Sequence, residues 1–347
     1  PSRSVHLLTD ASLIALARLF ESLQYAGGDS EDAVVSHEER SFRLRCYDEE
    51  VPSRPRAFSV QELLYDPGRD VFLDPQGIYP DLRSAGLRPQ GRGGELDHLA
   101  EAAILVSRYP YTADPESFVA LGSAAGPAAS LEFQRELLLS VLAGRRPDKG
   151  LALLSACGFV GRHWPELERM SAIPQTKDYH PEGDGWQHTL ETFQHRKDAD
   201  PVLSLALLLH DVGKPEASPT AERPFDGHAE LGAQIPPHFL RRLGFPEAQV
   251  RDVTFLVRYH MMPAALRKLP LYRSERIMDS PLFPLLLELY RADSSASYWG
   301  PDGYYEACQI YRTYRKHKAN PYRRNDGSKR GQRPRGAAPL RPPLPLH

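Results

Sequence analysis

The stretch Leu207-Leu208-Leu209-His210-Asp211-Val212-Gly213-Lys214-Pro215 ends an apolar run over 203–209 and turns polar within one residue. A buried imidazole beside a buried carboxylate is costly unless something pairs with both. Either His210 and Asp211 satisfy each other and the backbone, or they share a ligand such as a metal ion. Local punctuation places the pair at a helix end. Asp200 suits an N-cap, Pro201 suits the first helical position, and Gly213 with Pro215 marks a stop. The two residues then fall in the last turn, where the carbonyl end of the helix dipole favours a cation. Neighbours on a helix point about 100° apart, so one ion reaches both only at a helix end.

Working outward, four more ligand types stand in or beside apolar helical stretches. His188 in "GWQHTLETF" opens the preceding helix, and His228 in "FDGHAELGA" follows a glycine at a helix start. His260 closes "VTFLVRYH", and Asp293 interrupts "LLLELYRAD". Each taken singly reads equally well as a hydrogen-bonded core or cap residue. His163, His195 and His238 match no such pattern and are expected at the surface.

The rest of the composition bounds the answer. A chain of 347 residues and 39.0 kDa has room for two domains and a well-buried core. Its net charge of -2 excludes an overall polyanion binder, so any basic character is local. Cys46, Cys157 and Cys308 lie far apart, which argues against a disulfide scaffold or a thiolate zinc site and suits a reducing cytoplasm. The opening "PSRSVHLLTDASLIALARLF" carries Asp10 and Arg18 among its apolar residues and is expected to be an amphipathic helix, not a signal sequence. No run approaches the roughly 18 apolar residues of a membrane span. The chain opens on Pro1 rather than methionine, as a processed chain or a fragment does.

Along the chain, "ERSFRLRCYDE" alternates in strand fashion through Phe42, Leu44 and Cys46, and "VQELLYDPGRDVFLDP" predicts strand, turn, strand around Pro67-Gly68. Helices are expected over 95–109, over 131–144 with Gly144 as a stop, and as one more short helix within 148–167. Residues 171–185 read as a polar linker, followed by four or five helical segments to about Lys318. The remainder is rich in Arg, Lys, Pro and Gly and is expected to be a basic disordered tail. The divisions are therefore 1–95, a small α/β head; 96–170, a helical neck or body; 171–318, a helical bundle; and 319–347, the tail. The fold class is mainly α.

In their order, His188, His210-Asp211 and Asp293, with "HDVGK" after an aliphatic helix, resemble the HD-domain metal-dependent phosphohydrolases. The resemblance implies that these four bind one divalent metal in a helical bundle, and that His228 and His260 add a second ion. Imidazole and carboxylate donors admit Mn, Fe, Co, Ni, Zn or Mg without choosing among them. Such a metal lowers the pKa of water and polarises a phosphoryl oxygen. Lys214 could add positive charge or simply complement the helix end, and Glu191 or Glu230 could orient ligands or serve as base.

A second resemblance covers roughly residues 40 to 300. "FSVQELLYDPGRDVFLDPQGIYPDL" and "SLEFQRELLLSVLAG" are similar to the bacterial tRNA nucleotidyltransferase and poly(A) polymerase family, some members of which carry an HD domain. The polymerase signatures are broken. Gly27-Gly28 is followed at once by "DSED", and Asp48-Glu49-Glu50 comes too late to be the metal-holding carboxylate pair. Ala57 and Gln61 replace the family's Asp and Asn, and residues 96–100 lack its base-reading arginine. The expectation is a degenerate nucleotidyltransferase-like head and body joined to an HD phosphohydrolase. It would act on nucleotides or on RNA ends, those of tRNA among them, that bear 2′,3′-cyclic or 2′-phosphates. The alternatives are a surviving tRNA nucleotidyltransferase or a catalytically dead RNA-binding scaffold.

Overall fold

In the computed structural model of the chain, which describes residues 3–26, 32–37, 40–47, 57–87, 95–118, 128–172, 184–217, 227–297, 300–324 and 328, the alternation through Phe42, Leu44 and Cys46 is a strand. The chain divides into two compact units, residues 1–93 and 94–347. In the first unit, β1 (Arg3–Thr9), α1 (Leu13–Leu19), β2 (Leu23–Tyr25), β3 (Ala33–His37) and β4 (Arg40–Cys46) form a four-stranded sheet in the order β1-β4-β3-β2. The inner strand β4 runs parallel to β1, with Leu7 opposite Leu44, and antiparallel to β3. The amphipathic helix expected from the N-terminus is thus half right. Ser12 caps α1 by accepting from Ala15 N, so the helix starts only there, and the residues before it pair as an edge strand. Leu16 of α1 closes a small core with Ala33, Val35 and Leu44.

The hairpin around Pro67-Gly68 forms as β5 (Leu64–Asp66) and β6 (Val71–Leu73), with Asp66 Oδ1 accepting from Gly68 N and Arg69 N. A short helix α2 (Tyr79–Ser84) follows. Gly27, Gly28, residues 48–50 and Arg56 lie outside the described residues.

The second unit is all helical among its described residues. It opens with α3 (Glu95–Arg108), α4 (Leu131–Leu142) and α5 (Pro147–Ala156), then α6 (Phe159–His163) and α7 (Pro165–Glu168). The single short helix expected over 148–167 is three, because Gly158 takes φ 79° after α5 and Pro165 restarts the chain. His163 is buried against the Phe159 ring, whereas His195 is half-buried and His238 exposed; a surface position for His163 is corrected accordingly. Most of the linker, residues 173–183, and most of the basic tail, residues 325–327 and 329–347, lie outside the described residues.

From 185 to 318 the described residues hold nine helices rather than four or five: α8 (Gly185–Gln194), α9 (Pro201–Leu209), α10 (His228–Gly232), α11 (Ile235–Arg242), α12 (Glu247–Tyr259), α13 (Met262–Ala265), α14 (Leu271–Met278), α15 (Phe283–Ser295) and α16 (Asp302–Lys318). Prolines 236, 263 and 270 restart the chain where the apolar pattern alone runs on. Helix α9, buried from Leu203 to Leu209, is the axis of this bundle. Two arginines tie its neighbours. Arg196 donates to the carbonyls of Leu142 and Gly144 at 2.6 and 2.5 Å, satisfying the C-terminal end of α4. Arg291 donates to the carbonyl of His195 at 2.6 Å, which locks α15 onto the end of α8. No helix among the described residues is long and apolar enough to cross a membrane.

Candidate metal centre

All six candidate ligands sit within about a turn of a helix end. Asp200 caps α9 by accepting from Leu203 N at 2.8 Å, and the helix finishes at Leu209 with His210 as its C-cap. His260 is the C-cap of α12 in the same way. Both imidazoles bond the carbonyl three residues back, His210 Nδ1 to Leu207 O at 2.9 Å and His260 Nδ1 to Val257 O at 2.7 Å. A carbonyl only accepts, so each Nδ1 carries a proton and each Nε2 is the atom left to bind a metal once its ring is neutral, the arrangement of metal-ligating histidines. His188 projects from the first turn of α8, and His228 starts α10. Asp293 stands near the end of α15, two residues after Arg291, and is placed by that arginine's grip on His195 O.

These residues converge as two groups. His188, His210 and Asp293 form one, and Asp211, His228 and His260 the other, with the ligand atoms of each within 4.8 Å of one another. In the first, His188 Nε2 lies 2.9 Å from Asp293 Oδ1, and His210 Nε2 lies 3.6 Å from the same oxygen. In the second, the Nε2 atoms of His228 and His260 stand 3.0 Å apart. Two ligands at about 2.1 Å and right angles on one ion would be separated by about 3 Å.

Asp211 is shared. Its Oδ2 lies 3.3 Å from His210 Nε2 and 3.8 Å from His188 Nε2, while its Oδ1 lies 3.5 Å from His228 Nε2. Helix α10 comes close enough for this because of Gly213. A Cβ there would sit 2.2 Å from the carbonyl oxygen of His228 and 2.3 Å from the backbone nitrogen of Gly232. The glycine of "HDVGK" is therefore the contact that admits the second group, a role its reading as a helix stop missed.

The electrostatics call for a cation. His210 Nε2 and Asp211 Oδ2 are buried without a hydrogen bond. Lys214 Nζ lies 2.6 Å from that oxygen as an ion pair. Buried polar atoms left in this state mark a place for a ligand or ion. Burial opposes charge on His210, yet the Asp211 and Asp293 carboxylates prevail and hold its imidazole up at about 10. Burial likewise opposes charge on Asp211 and Asp293, but His210 with Lys214, and His188 with His210, keep them well below the usual carboxylate range. His260 goes the other way, to about 4, through burial and the neighbouring His210 and His228. One positive charge thus settles between the carboxylates. The donor set fits a divalent ion of the imidazole-and-carboxylate type. The centre opens towards solvent at Asp293 and His228, whose side chains are 18% and 12% exposed against 3% or less for the other four.

Two expected residues lie elsewhere. Glu191 accepts from Gln194 Nε2 at 2.8 Å on the half-exposed side of α8, apart from both ligand groups. Glu230 pairs with Arg258 at 3.3 Å on the surface. Lys214 does join the centre. Arg291 was missed, although an arginine two residues before Asp293 in "LLLELYRAD" is a visible signal.

Comparison with known proteins agrees with this geometry. The HD domain family matches residues 185–293, which begin three residues before His188 and end at Asp293. Among relatives, the A-adding tRNA nucleotidyltransferase of Deinococcus radiodurans is 32% identical over 269 residues, 70% of this chain and 59% of that protein. The multifunctional CCA protein of Nitrosococcus oceani is 31% identical over 54% of this chain and 48% of its own length. The CC-adding tRNA nucleotidyltransferase of Thermus thermophilus is 36% identical over 47% of this chain and 39% of its own. The chain spans about half the length of such relatives. The crystal structure of the Bacillus stearothermophilus CCA-adding enzyme in complex with CTP superposes with TM-score 0.56 and 17% identity over 90% of this chain and 73% of that one, which shows a shared fold. Residues 185–293 are thus an HD domain, in a chain homologous to CCA-adding tRNA nucleotidyltransferases.

Proposed function

We propose that the chain is a divalent-metal-dependent phosphohydrolase whose centre holds two ions, acting on nucleotides or on RNA ends bearing 2′,3′-cyclic or 2′-phosphates. The observation that carries this reading is Asp211, whose two carboxylate oxygens face different histidine groups. A carboxylate serving one ion has no need to divide itself in this way. His188, His210 and Asp293 would hold one ion, His228 and His260 the other, and Asp211 both. When bound, the ions supply Lewis acidity and make water a nucleophile near neutral pH, and two of them favour diester cleavage.

The chain's own residues prepare the site for a phosphoester. With ions bound in place of the proton held on His210, the four imidazoles would be neutral and add no charge. Two carboxylates against the one ammonium of Lys214 leave the ligand set at a net charge of about −1, so divalent ions turn the centre positive and attract a phosphate. Lys214, nearly buried and held on Asp211, contributes a fixed cation beside the reacting group. The nucleotide and RNA preference is supported by the relatives named for tRNA.

A second reading, nucleotide addition to tRNA, is favoured by those same relatives and opposed by the broken signatures of residues 1–100. One set of assays separates the two. Metal content of the purified chain is measured beside a panel of phosphomonoesters and cyclic phosphodiesters, with labelled CTP and ATP offered to tRNA in parallel. Metal-dependent release of phosphate or opening of cyclic phosphate is the expected result. Incorporation of nucleotide with no hydrolysis of any phosphoester would overturn the proposal.

A further inference from the structure

Away from the metal centre, the sequence from Cys308 to Arg324 contains six Lys or Arg and no acid. Arg312, Arg315, Lys316, Lys318, Arg323 and Arg324 are all exposed. Lys318 pairs with Asp279, whereas Arg312, Arg315, Lys316 and Arg324 have no acid at ion-pair distance among the described residues. Cations in a last helical turn complement the helix dipole. That accounts for Arg315, Lys316 and Lys318, but Arg312 stands earlier and Arg323 and Arg324 follow the helix. One exposed tyrosine stands among these charges, Tyr322 at 80%, next to Arg323 and Arg324; Tyr311, whose ring centre lies 5.9 Å from the Arg315 guanidinium, is partly buried, and Tyr314 is buried. Cations tracking a backbone, with an aromatic face beside them, suit a nucleic acid strand. A membrane surface would ask for large exposed aliphatics, and this face shows none: its other exposed residues are Gln309, Thr313, Ala319 and Pro321.

The position of the face sets the length of the ligand. Helix α16 runs antiparallel to α15: Tyr304 donates to Glu288 at 3.1 Å, Tyr311 packs on Phe283 at 4.6 Å between ring centres, and Tyr314 donates to Asp279 at 2.7 Å. The basic end of α16 is therefore level with the start of α15, while Asp293 stands near its other end. From Phe283 to Asp293 is about 15 Å at 1.5 Å per residue, and Arg315 to Lys318 lie about one turn further out. About 20 Å is spanned by roughly six stacked nucleotides at 3.4 Å each. We propose that this face docks the phosphate backbone of an RNA strand whose end enters the metal centre, so that the substrate is a polynucleotide end and not a free mononucleotide. The choice of RNA rests on the phosphohydrolase reading, since 2′-phosphates and 2′,3′-cyclic phosphates exist only on ribose; the docking itself does not.

The test uses the full chain and the triple variant Arg312→Glu/Arg315→Glu/Lys316→Glu, with circular dichroism and thermal melting to confirm that the variant is folded. Fluorescence anisotropy of a labelled RNA of about twelve nucleotides is followed between about 50 and 200 mM salt. The slope of log affinity against log salt should become shallower by about 2 in the variant. The same difference should persist when both proteins are truncated after Ser328, which removes the cations of the tail. With cyclic-phosphate-ended oligonucleotides, kcat/KM should rise with length to about six nucleotides in the parent and stay flat in the variant, mononucleotide turnover being equal in both. Identical salt slopes, or identical length dependence, would overturn the proposal, as would tighter binding to anionic vesicles or polyglutamate than to RNA. Should no phosphoester be hydrolysed at all, the phosphohydrolase reading and the choice of RNA fail together, and the anisotropy arm alone decides whether the face docks a nucleic acid.

Discussion

Substituting Gly213 with alanine separates the two halves of the centre without touching a ligand. The added Cβ would lie 2.2 Å from His228 O and 2.3 Å from Gly232 N, where an ordinary contact begins at 3.4 Å. Both obstacles are backbone, so α10 must retreat by more than about 1 Å, and His228 with it. His188, His210 and Asp293 are placed by α8, α9 and α15 and do not feel this displacement. A ligand moved by 1 Å leaves bonding range, since nitrogen-to-metal distances tolerate only about 0.2 Å. Overpacking of this kind costs about 1–3 kcal/mol, so the variant should melt several degrees lower and still fold. Metal equivalents are counted by mass spectrometry after saturation with Mn and gel filtration. The parent should retain two and Gly213→Ala one, with diester turnover falling as far as in His228→Ala. Gly213→Ala protein that keeps two equivalents at the parent's melting temperature would refute the account of how α10 is seated.

Four further outcomes follow from the same geometry. Asp211→Asn should lose both ions and all turnover, whereas His228→Ala or His260→Ala should lose one ion and at least about 100-fold of diesterase activity, read by metal analysis and kcat/KM. Glu191→Gln should leave metal content and turnover within about twofold of the parent, because its carboxylate is engaged with Gln194 and lies apart from the ligands. The metal-free protein should be most stable near pH 6.5. His210, raised to about 10, contributes stability that is full below the unfolded value and lost as pH rises towards 10. His260, lowered to about 4, protonates in the unfolded chain first, so stability also falls from about 6.5 downward, and the depressed Asp211 and Asp293 extend that loss at lower pH. Saturating metal, which occupies the His210 lone pair, should flatten the alkaline limb in thermal melts. Finally, this chain should add no labelled CTP or ATP to tRNA, since the acids at 48–50 come too late to form the metal-holding pair and residues 96–100 lack the arginine that such chemistry uses.

The ligand types, their order, and the helix ends that carry them were legible from local chemistry. Asp200 and Pro201 announce the start of α9, and the polar break after Leu209 announces its end, because caps and apolar runs act over a few residues. The β5–β6 hairpin follows from Pro67-Gly68 for the same reason. Local rules could not say that residues 3–9 would pair as a strand, since that depends on β4 some 37 residues on. Nor could they separate Glu191 from its neighbour His188, three residues away on α8, because which face of a helix meets the bundle is settled by what packs against it. The meeting of His188 with Asp293 spans 105 residues, and the division of Asp211 between two histidine groups requires five helices to arrive together. The clearest case is Gly213. As a letter in "HDVGK" it signals only that a helix stops, but in the fold its missing Cβ is the space through which the backbone of α10 brings His228 to Asp211.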